Sequence, residues 1–205
     1  MAALCAMVFL EAGLFGCAPE EQDDGLAVLA SFYPVYVLAL NVTEGVEGVR
    51  VSNMAVPQTG CLHDYQLSTR DMKALERADV FLINGAGMEE FLEKALAQRP
   101  ALNVVDTSEG VSLLEEDGSA HDEHDHDEHD NDGHEEHGHD HAHNPHIWMD
   151  PKNAAIQVQN IALGLSAIDP ANAARYQANA AACAERLNAL DGQIRELLAP
   201  CAGGE

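Results

Sequence analysis

A stretch of alternating histidines and carboxylates is the part of this chain that is best equipped for chemistry. It contains no Lys or Arg, and its nine histidines are His121, His124, His126, His129, His134, His137, His139, His141 and His143. Neutral imidazole is the commonest protein ligand for borderline divalent metals, and histidine-rich tracts are typical of metal binding. We interpret these side chains as auxiliary, weak metal ligands. Residues 115–143 hold too little apolar surface to offset the entropy of ordering them, which predicts a disordered loop.

Two further histidines lie in segments that can pack. His146 follows the loop within NPHIWMDP at 144–151, where apolar, aromatic and proline residues surround it. His63 lies in LHDYQLSTRD at 62–71. Both are candidates for a structured metal site, although either could be an ordinary hydrogen-bonded surface histidine. Cys61 could complete a Cys-x-His pair with His63, or it could be a small buried apolar residue.

The segments that must position these histidines alternate between strand and helix patterns. Short apolar runs predict strands at Leu26 to Phe32, Val46 to Met54, Val80 to Ile83 and Leu102 to Val105. Helices are predicted from Tyr33 to about Glu44, from Ser68 or Thr69 through Ala78, and from Met88 to Gln98. This alternation predicts an α/β fold with a parallel four-stranded sheet flanked by helices. Ligands bind beyond the carboxyl ends of such strands, and both His63 and His146 follow strands.

The remainder of the chain predicts two helices. Asp150-Pro151 is an N-cap followed by proline at the first helical position, and the helix is predicted to reach about Leu165. Asp169-Pro170 repeats the pattern and begins a long helix over 169–199. Its predicted apolar stripe consists of Tyr176, Ala180, Cys183, Leu187, Leu190, Ile194 and Leu197. A helix of that length suggests a coiled coil or a linker between two lobes.

The N-terminal residues 1–17 predict a lipoprotein-type signal peptide rather than part of the fold. They are mostly apolar and end in LFGC, so Cys17 is the expected site of lipidation. The absence of a basic leading segment and the presence of Glu11 depart from that pattern, and a buried cysteine after an ordinary helix is the alternative. Residues 18–25 read as a solvated tether. The expected location is therefore extracytoplasmic, with a lipid anchor to the membrane.

Charge and cysteine content exclude several classes of protein. The formal net charge is −25, so the chain cannot neutralise phosphates and we expect no nucleic-acid partner. Cys61, Cys183 and Cys201 are too widely spaced for a disulfide framework, and no CxxC is present. A glycine-rich phosphate loop, a nucleophile elbow and HExxH are also absent, so we predict no catalytic residues and no enzyme activity.

Taken together, these segments resemble the metal-binding subunit of bacterial zinc and manganese ABC importers, the cluster A-I solute-binding proteins. The resemblance is carried by LFGC, SFYPVY, LHDYQLSTRD, ADVFLINGAGMEEF, the histidine-rich loop, NPHIWMDP and YQANAAACAERLNALD. It implies two α/β lobes joined by one long helix, with the metal between them. Here the N-terminal lobe spans 26–168, and the chain carries no residues for the second lobe, so we expect that lobe to be missing.

The resemblance also implies ligands, cargo and partners. His63 matches the first ligand and His146 the second, whereas the third histidine and the acidic ligand come from the second lobe in this family. Zn²⁺ is the expected cargo and Mn²⁺ the less favoured one, because imidazole suits zinc. The expected partners are a membrane permease and its ATPase, with the protein itself a monomer. A manganese-specific relative, a metal buffer using only the loop, an adhesin-like surface lipoprotein and a zinc hydrolase remain alternatives.

Overall fold

The computed structural model describes residues 25–55, 62, 65–114 and 143–201. The predictions for the signal peptide, Cys17, Cys61, His63 and the loop histidines from His121 to His141 lie outside these residues. His143 and His146 lie within them.

The described strands form one parallel sheet, which confirms the predicted fold class. They are β1 (Leu26–Ala30), β2 (Val49–Asn53), β3 (Val80–Ile83) and β4 (Asn103–Asp106), in the spatial order β2-β1-β3-β4. β1 ends two residues before the predicted Phe32, and β2 starts three residues after the predicted Val46. Gly48 explains the late start of β2, because it has a positive φ of 73° that a strand residue does not adopt.

Five α-helices flank this sheet in the described chain. They are α1 (Tyr33–Val42), α2 (Thr69–Arg77), α3 (Glu93–Ala97), α4 (Pro151–Ile168) and α5 (Ala173–Leu198). The prediction of one helix from Met88 to Gln98 is wrong, because this segment contains a 3-10 turn, Glu90–Leu92, followed by the single short helix α3.

The side chains of the strands divide the core into two layers. Successive strand residues point to opposite faces of a sheet. In β1, Val28 and Ala30 therefore join the cluster with α1, α4 and α5, whereas Leu29 joins Phe81 on the other face. That second layer is covered by α2 and α3 through Leu75, Leu92 and Ala95. Both faces are buried, as a parallel sheet requires.

Helix α4 begins with the N-cap and the proline that the sequence predicts. The carboxylate of Asp150 accepts a hydrogen bond from the backbone N–H of Lys152 at 2.7 Å, and Pro151 occupies the first helical position. The same device was predicted at Asp169, and there the prediction is wrong. A 3-10 turn, Pro170–Asn172, comes first, and the Asp169 carboxylate accepts hydrogen bonds from the side chains of Asn172 and Tyr176, both at 2.7 Å.

Helix α5 packs into the fold only along its first half. Tyr176, Ala180 and Cys183 of the predicted stripe are buried. Further along, Leu190 is 43% exposed and Leu197 is 76% exposed, so the predicted apolar stripe is buried only in its N-terminal half. No helix among the described residues is long and apolar enough to cross a membrane.

A charged cluster nevertheless holds the second half of α5 to the start of α4. The Asp191 carboxylate accepts hydrogen bonds from Nε of Arg195 at 3.1 and 2.8 Å, and one of its oxygens lies 3.5 Å from Nζ of Lys152. These contacts hold the pKa of Asp191 below its ordinary value, chiefly through the Arg195 hydrogen bond. The cluster therefore links the long helix to a residue two positions after Asp150.

Two helical glycines provide a test of this packing. A Cβ on Gly164 of α4 would lie 2.6 and 2.7 Å from the methyl carbons of Val105 in β4, whereas one on Gly192 of α5 would meet nothing within 4 Å. We expect Gly164→Ala to lower the free energy of unfolding by about 1–3 kcal/mol through overpacking. Gly192→Ala should raise it by roughly 0.5–1 kcal/mol, because alanine loses less backbone entropy. Denaturant unfolding of both variants tests this, and equal effects would contradict it.

Candidate metal-binding site

The strand order reverses at the ends of β1 and β3. The chain leaves β1 towards β2 on one side, and it reaches β4 on the other side of β3, so the loops after β1 and β3 diverge. Open parallel sheets bind ligands at such a reversal of strand order. Ser31 directly follows β1 and Asn84 directly follows β3, and both side chains are buried.

Glu89 joins the two strand ends at this reversal. Its carboxylate accepts hydrogen bonds from the Ser31 hydroxyl at 2.7 Å, the Asn84 backbone N–H at 2.7 Å and the Gly85 backbone N–H at 3.0 Å. Gly85 has a φ of 78°, and a Cβ there would collide with the Asp106 side chain. The turn after β3 therefore requires glycine, and its N–H groups point at the carboxylate.

Burial raises the pKa of Glu89 from its ordinary 4.5 to about 7. The three hydrogen bonds to the carboxylate act in the opposite direction, but the loss of water around a side chain that is 6% exposed dominates. An ionisable group with a strongly shifted pKa therefore lies between the ends of β1 and β3, and sequence reasoning did not identify it.

Asn84 extends this network to the segment that carries His146. Its side-chain N–H donates to the Pro145 carbonyl at 3.0 Å, while its Oδ1 accepts from Nε2 of Gln157 in α4 at 3.2 Å. Gln157 also donates to the Thr107 hydroxyl at 2.8 Å. Side chains after β3, after β4 and in α4 thus fix the backbone one residue before His146.

The His146 ring is held from two sides. Its Nδ1 lies 2.8 Å from Oδ1 of Asn144, and its centroid is 5.2 Å from the Trp148 ring at an interplanar angle of 50°. Trp148 in turn meets Phe32, which follows β1, edge-to-face at 4.8 Å. The ring is half-buried, so it is anchored to the core and still reachable from solvent.

The two ends of the histidine-rich segment meet beside this ring. The backbone N–H of Asn144 donates to the carbonyl of Leu114 at 2.9 Å. His143, the last of the nine histidines, is exposed. The described residues before and after the histidine-rich segment are therefore joined at Asn144, two residues before His146.

His63 lies outside the described residues, but its neighbours on either side are packed. Leu62 and Tyr65 both contact the core cluster that Trp148 contacts. The Tyr65 hydroxyl donates to Asp71 at 2.9 Å, and burial together with this bond raises the pKa of Tyr65 to about 12. Asp71 is engaged in a capping box with Ser68 at the start of α2. Its role is therefore structural.

Within the described ranges, no group of three or more His, Cys, Asp or Glu side chains is arranged to hold a metal ion. His146 and His143 are the predicted ligands that the structure describes, and it does not bring these two into one such group. Asn144, Asn84 and Glu89 were missed by sequence reasoning. Asn144 could have been found, because an amide two residues before a histidine can reach its ring.

A parallel α/β lobe that continues into a long helix is also found in two-lobed metal-binding solute-binding proteins of known structure. The family described as ZnuA, zinc-uptake complex component A, periplasmic, matches residues 28–204, and the chain belongs to this family.

Individual relatives agree on the class and differ in the metal. The chain is 32% identical over 179 residues to the high-affinity zinc uptake system protein ZnuA of Bacillus subtilis, which covers 86% of this chain and 52% of that protein. The iron-binding protein YfeA of Yersinia pestis is 29% identical, covering 88% and 51%. The manganese-binding lipoprotein MntA of Halalkalibacterium halodurans is 30% identical, covering 88% and 54%. The chain thus spans about half the length of these relatives.

A solved structure agrees in fold. Zn(II)-bound AdcA from Streptococcus pneumoniae superimposes with a TM-score of 0.65 at 25% identity, over 84% of this chain and 32% of that one.

The raised pKa of Glu89 predicts a specific dependence of stability on pH. Between about pH 4.5 and about 7 the folded carboxyl group retains a proton that the unfolded one loses, so stability should fall as the pH rises through this window. A shift of this size corresponds to on the order of 3 kcal/mol. Glu89→Gln stays neutral, so its stability relative to the wild type should rise across the window. The exposed Glu76→Gln is the control. Unfolding curves measured from pH 4 to 8 test this, and parallel curves for wild type and Glu89→Gln would contradict it.

Proposed function

We propose that this protein captures Zn²⁺ outside the cytoplasm and delivers it to a membrane permease driven by an ATPase, as a cluster A-I solute-binding protein. The observation that carries the proposal is the half-buried His146 ring, oriented by Asn144 and Trp148 at the reversal of strand order. Such orientation by neighbouring groups is typical of histidines that bind metals. No catalytic role is proposed.

His63 is the second proposed ligand. It follows β2, the neighbour of β1, in the sequence, and the proposal is supported by the packing of Leu62 and Tyr65 against the core. Two imidazoles leave a tetrahedral ion half-coordinated, and the remaining ligands are proposed to come from a second lobe. The exposed apolar residues of α5, including Leu190, Ile194 and Leu197, support this idea because another lobe could cover them.

The nine histidines of the loop are proposed to be weak auxiliary sites that concentrate zinc. The hydrogen bond from Asn144 to Leu114 joins the loop's ends next to His146, so ions held by the loop would be released near the proposed site. Thirteen acidic residues between Glu115 and Asp140 would attract cations to the same place. Cys17 is proposed to carry the lipid anchor of a monomeric protein.

Manganese is the second candidate cargo, since a manganese-binding lipoprotein is among the relatives. Zinc is preferred because both proposed ligands on this chain are imidazoles, whereas manganese favours oxygen ligands. Competition titrations with both ions would separate the candidates.

The proposed role of His146 predicts a large difference between two neighbouring histidines. His146→Ala should weaken the tightest zinc site by at least about tenfold, because it removes a ligand held in place by its surroundings. His143→Ala is the matched control, three residues away and exposed, and should leave that affinity nearly unchanged. Isothermal titration measures both affinities.

In zinc-limited cells lacking the protein, a gene carrying His146→Ala should fail to restore growth, whereas one carrying His143→Ala should restore it. Equal behaviour of the two variants would overturn the proposal.

Deleting residues 118–143 should separate the loop from the structured site. The hydrogen bond between Leu114 and Asn144 lies outside the deletion, so we expect the segment carrying His146 to keep its position. Titration should show fewer zinc ions bound, with the best affinity retained. Loss of the tightest site on deletion would show that the loop itself supplies essential ligands.

A further inference from the structure

Asn144 contacts His146 through one oxygen atom that serves two partners. Oδ1 of Asn144 lies 3.0 Å from the backbone nitrogen of His146 and 2.8 Å from Nδ1 of the same residue. A side-chain amide can be rotated by half a turn, so its oxygen and nitrogen positions must be assigned from their neighbours. Here the neighbour decides the assignment.

A backbone N–H can only donate a hydrogen bond. The Asn144 atom that faces the backbone nitrogen of His146 must therefore be the carbonyl oxygen, because the amide NH₂ would place two donors against each other. The same oxygen faces Nδ1, and an oxygen of this kind can only accept. Nδ1 must consequently carry a proton, and in the neutral ring Nε2 must carry the lone pair.

We infer that Asn144 is a positioning residue that fixes His146 in the Nδ1–H tautomer and thereby selects Nε2 as the nitrogen that binds the metal. The inference rests on the proposed function and adds to it the identity of the donor atom and the residue that selects it. Asn144 does not touch the metal in this arrangement.

The surroundings of Asn144 suit it to this task. Its backbone N–H is bonded to Leu114 and the following Pro145 carbonyl is bonded to Asn84, so the residue is held on both sides. Trp148 lies against the ring and restricts its rotation. The ring is therefore set in both tautomer and orientation before an ion arrives, which reduces the ordering cost of binding.

The tautomer can be measured directly by long-range proton–nitrogen NMR of the ¹⁵N-labelled 205-residue protein. The His146 signals are assigned by their loss in His146→Ala. Without metal, we expect the proton on Nδ1. On addition of Zn²⁺, the resonance of Nε2 should shift as that nitrogen becomes the ligand. A proton on Nε2 in the metal-free protein, or zinc on Nδ1, overturns the inference without recourse to any variant of Asn144.

Substitutions of Asn144 test its role in selection. Asn144→Leu removes the acceptor at similar volume and should give a mixture of tautomers together with a loss of zinc affinity of about 10–100-fold, the usual effect of removing such a partner. Asn144→Asp keeps an acceptor and should retain the Nδ1–H tautomer and most of the affinity. Asn103→Leu is the control. It removes an amide at the start of β4, at the amino ends of the strands, whereas His146 lies near their carboxyl ends. An unchanged tautomer in Asn144→Leu would overturn the assignment to Asn144.

The same measurements separate failure of this inference from failure of the proposed function. If zinc shifts neither ring nitrogen of His146, and His146→Ala binds zinc as tightly as the wild type, the proposed function fails together with Nε2 as the ligand. The tautomer is judged separately, in the metal-free proteins. If Nδ1 of His146 carries the proton in the wild type and loses it in Asn144→Leu, Asn144 sets the tautomer even though zinc does not bind there.

Discussion

The carboxylate of Glu89 is the interaction on which the arrangement of the site depends. The sharp turn after β3 leaves the backbone N–H groups of Asn84 and Gly85 without partners in the sheet, and Asn84 is fully buried. Unpaired donors at such positions would cost about 1–3 kcal/mol each. Glu89 accepts from both and also from Ser31, so it joins the ends of β1 and β3. The Asn84 side chain is then free to hold Pro145, and through it His146.

The long helix is fixed to the rest of the fold by polar contacts at both ends of its packed part. Near its start, Asn179 donates to the carbonyls of Val42 and Glu44, which the end of α1 leaves unpaired. Further along, Asp191 joins Lys152 in the first turn of α4. Because α4 begins six residues after Pro145, whose carbonyl is bonded to Asn84, the direction of α5 and the position of the His146 segment are set by one connected framework.

Local patterns account for the parts of this structure that the sequence predicted. An apolar run predicts β3, and Asp150-Pro151 predicts the start of α4, so both were located from residues that are neighbours in the sequence. The interruption of the helix after Met88 was not predicted. There, Glu89 accepts hydrogen bonds from the backbone of Asn84 and Gly85, and a 3-10 turn follows it in place of a continuous α-helix. The contacts from Ser31 to Glu89 and from Asn84 to Pro145 span 58 and 61 positions in the chain. The spacing of apolar residues along a chain does not predict contacts between residues so far apart in sequence. For this reason Asn84 and Glu89 were not predicted as site residues. The exposure of Leu197 was likewise not predictable, because the spacing of apolar residues along α5 does not show which of them another element covers.

Four carboxylates of the described chain are held by structural hydrogen bonds. Glu89 is engaged by three donors, Asp71 by Ser68 and Tyr65, and Asp150 by the first turn of α4. Asp106 accepts from both the hydroxyl and the backbone N–H of Ser108. Each of these acids therefore has a structural partner that it would have to give up to bind a cation. The Nδ1 atom of His146 lies beside the side-chain oxygen of a neutral amide, Asn144, which orients the ring. The bonds from Asn84 to Pro145 and from Asn144 to the His146 ring therefore position the imidazole that is proposed above as a ligand.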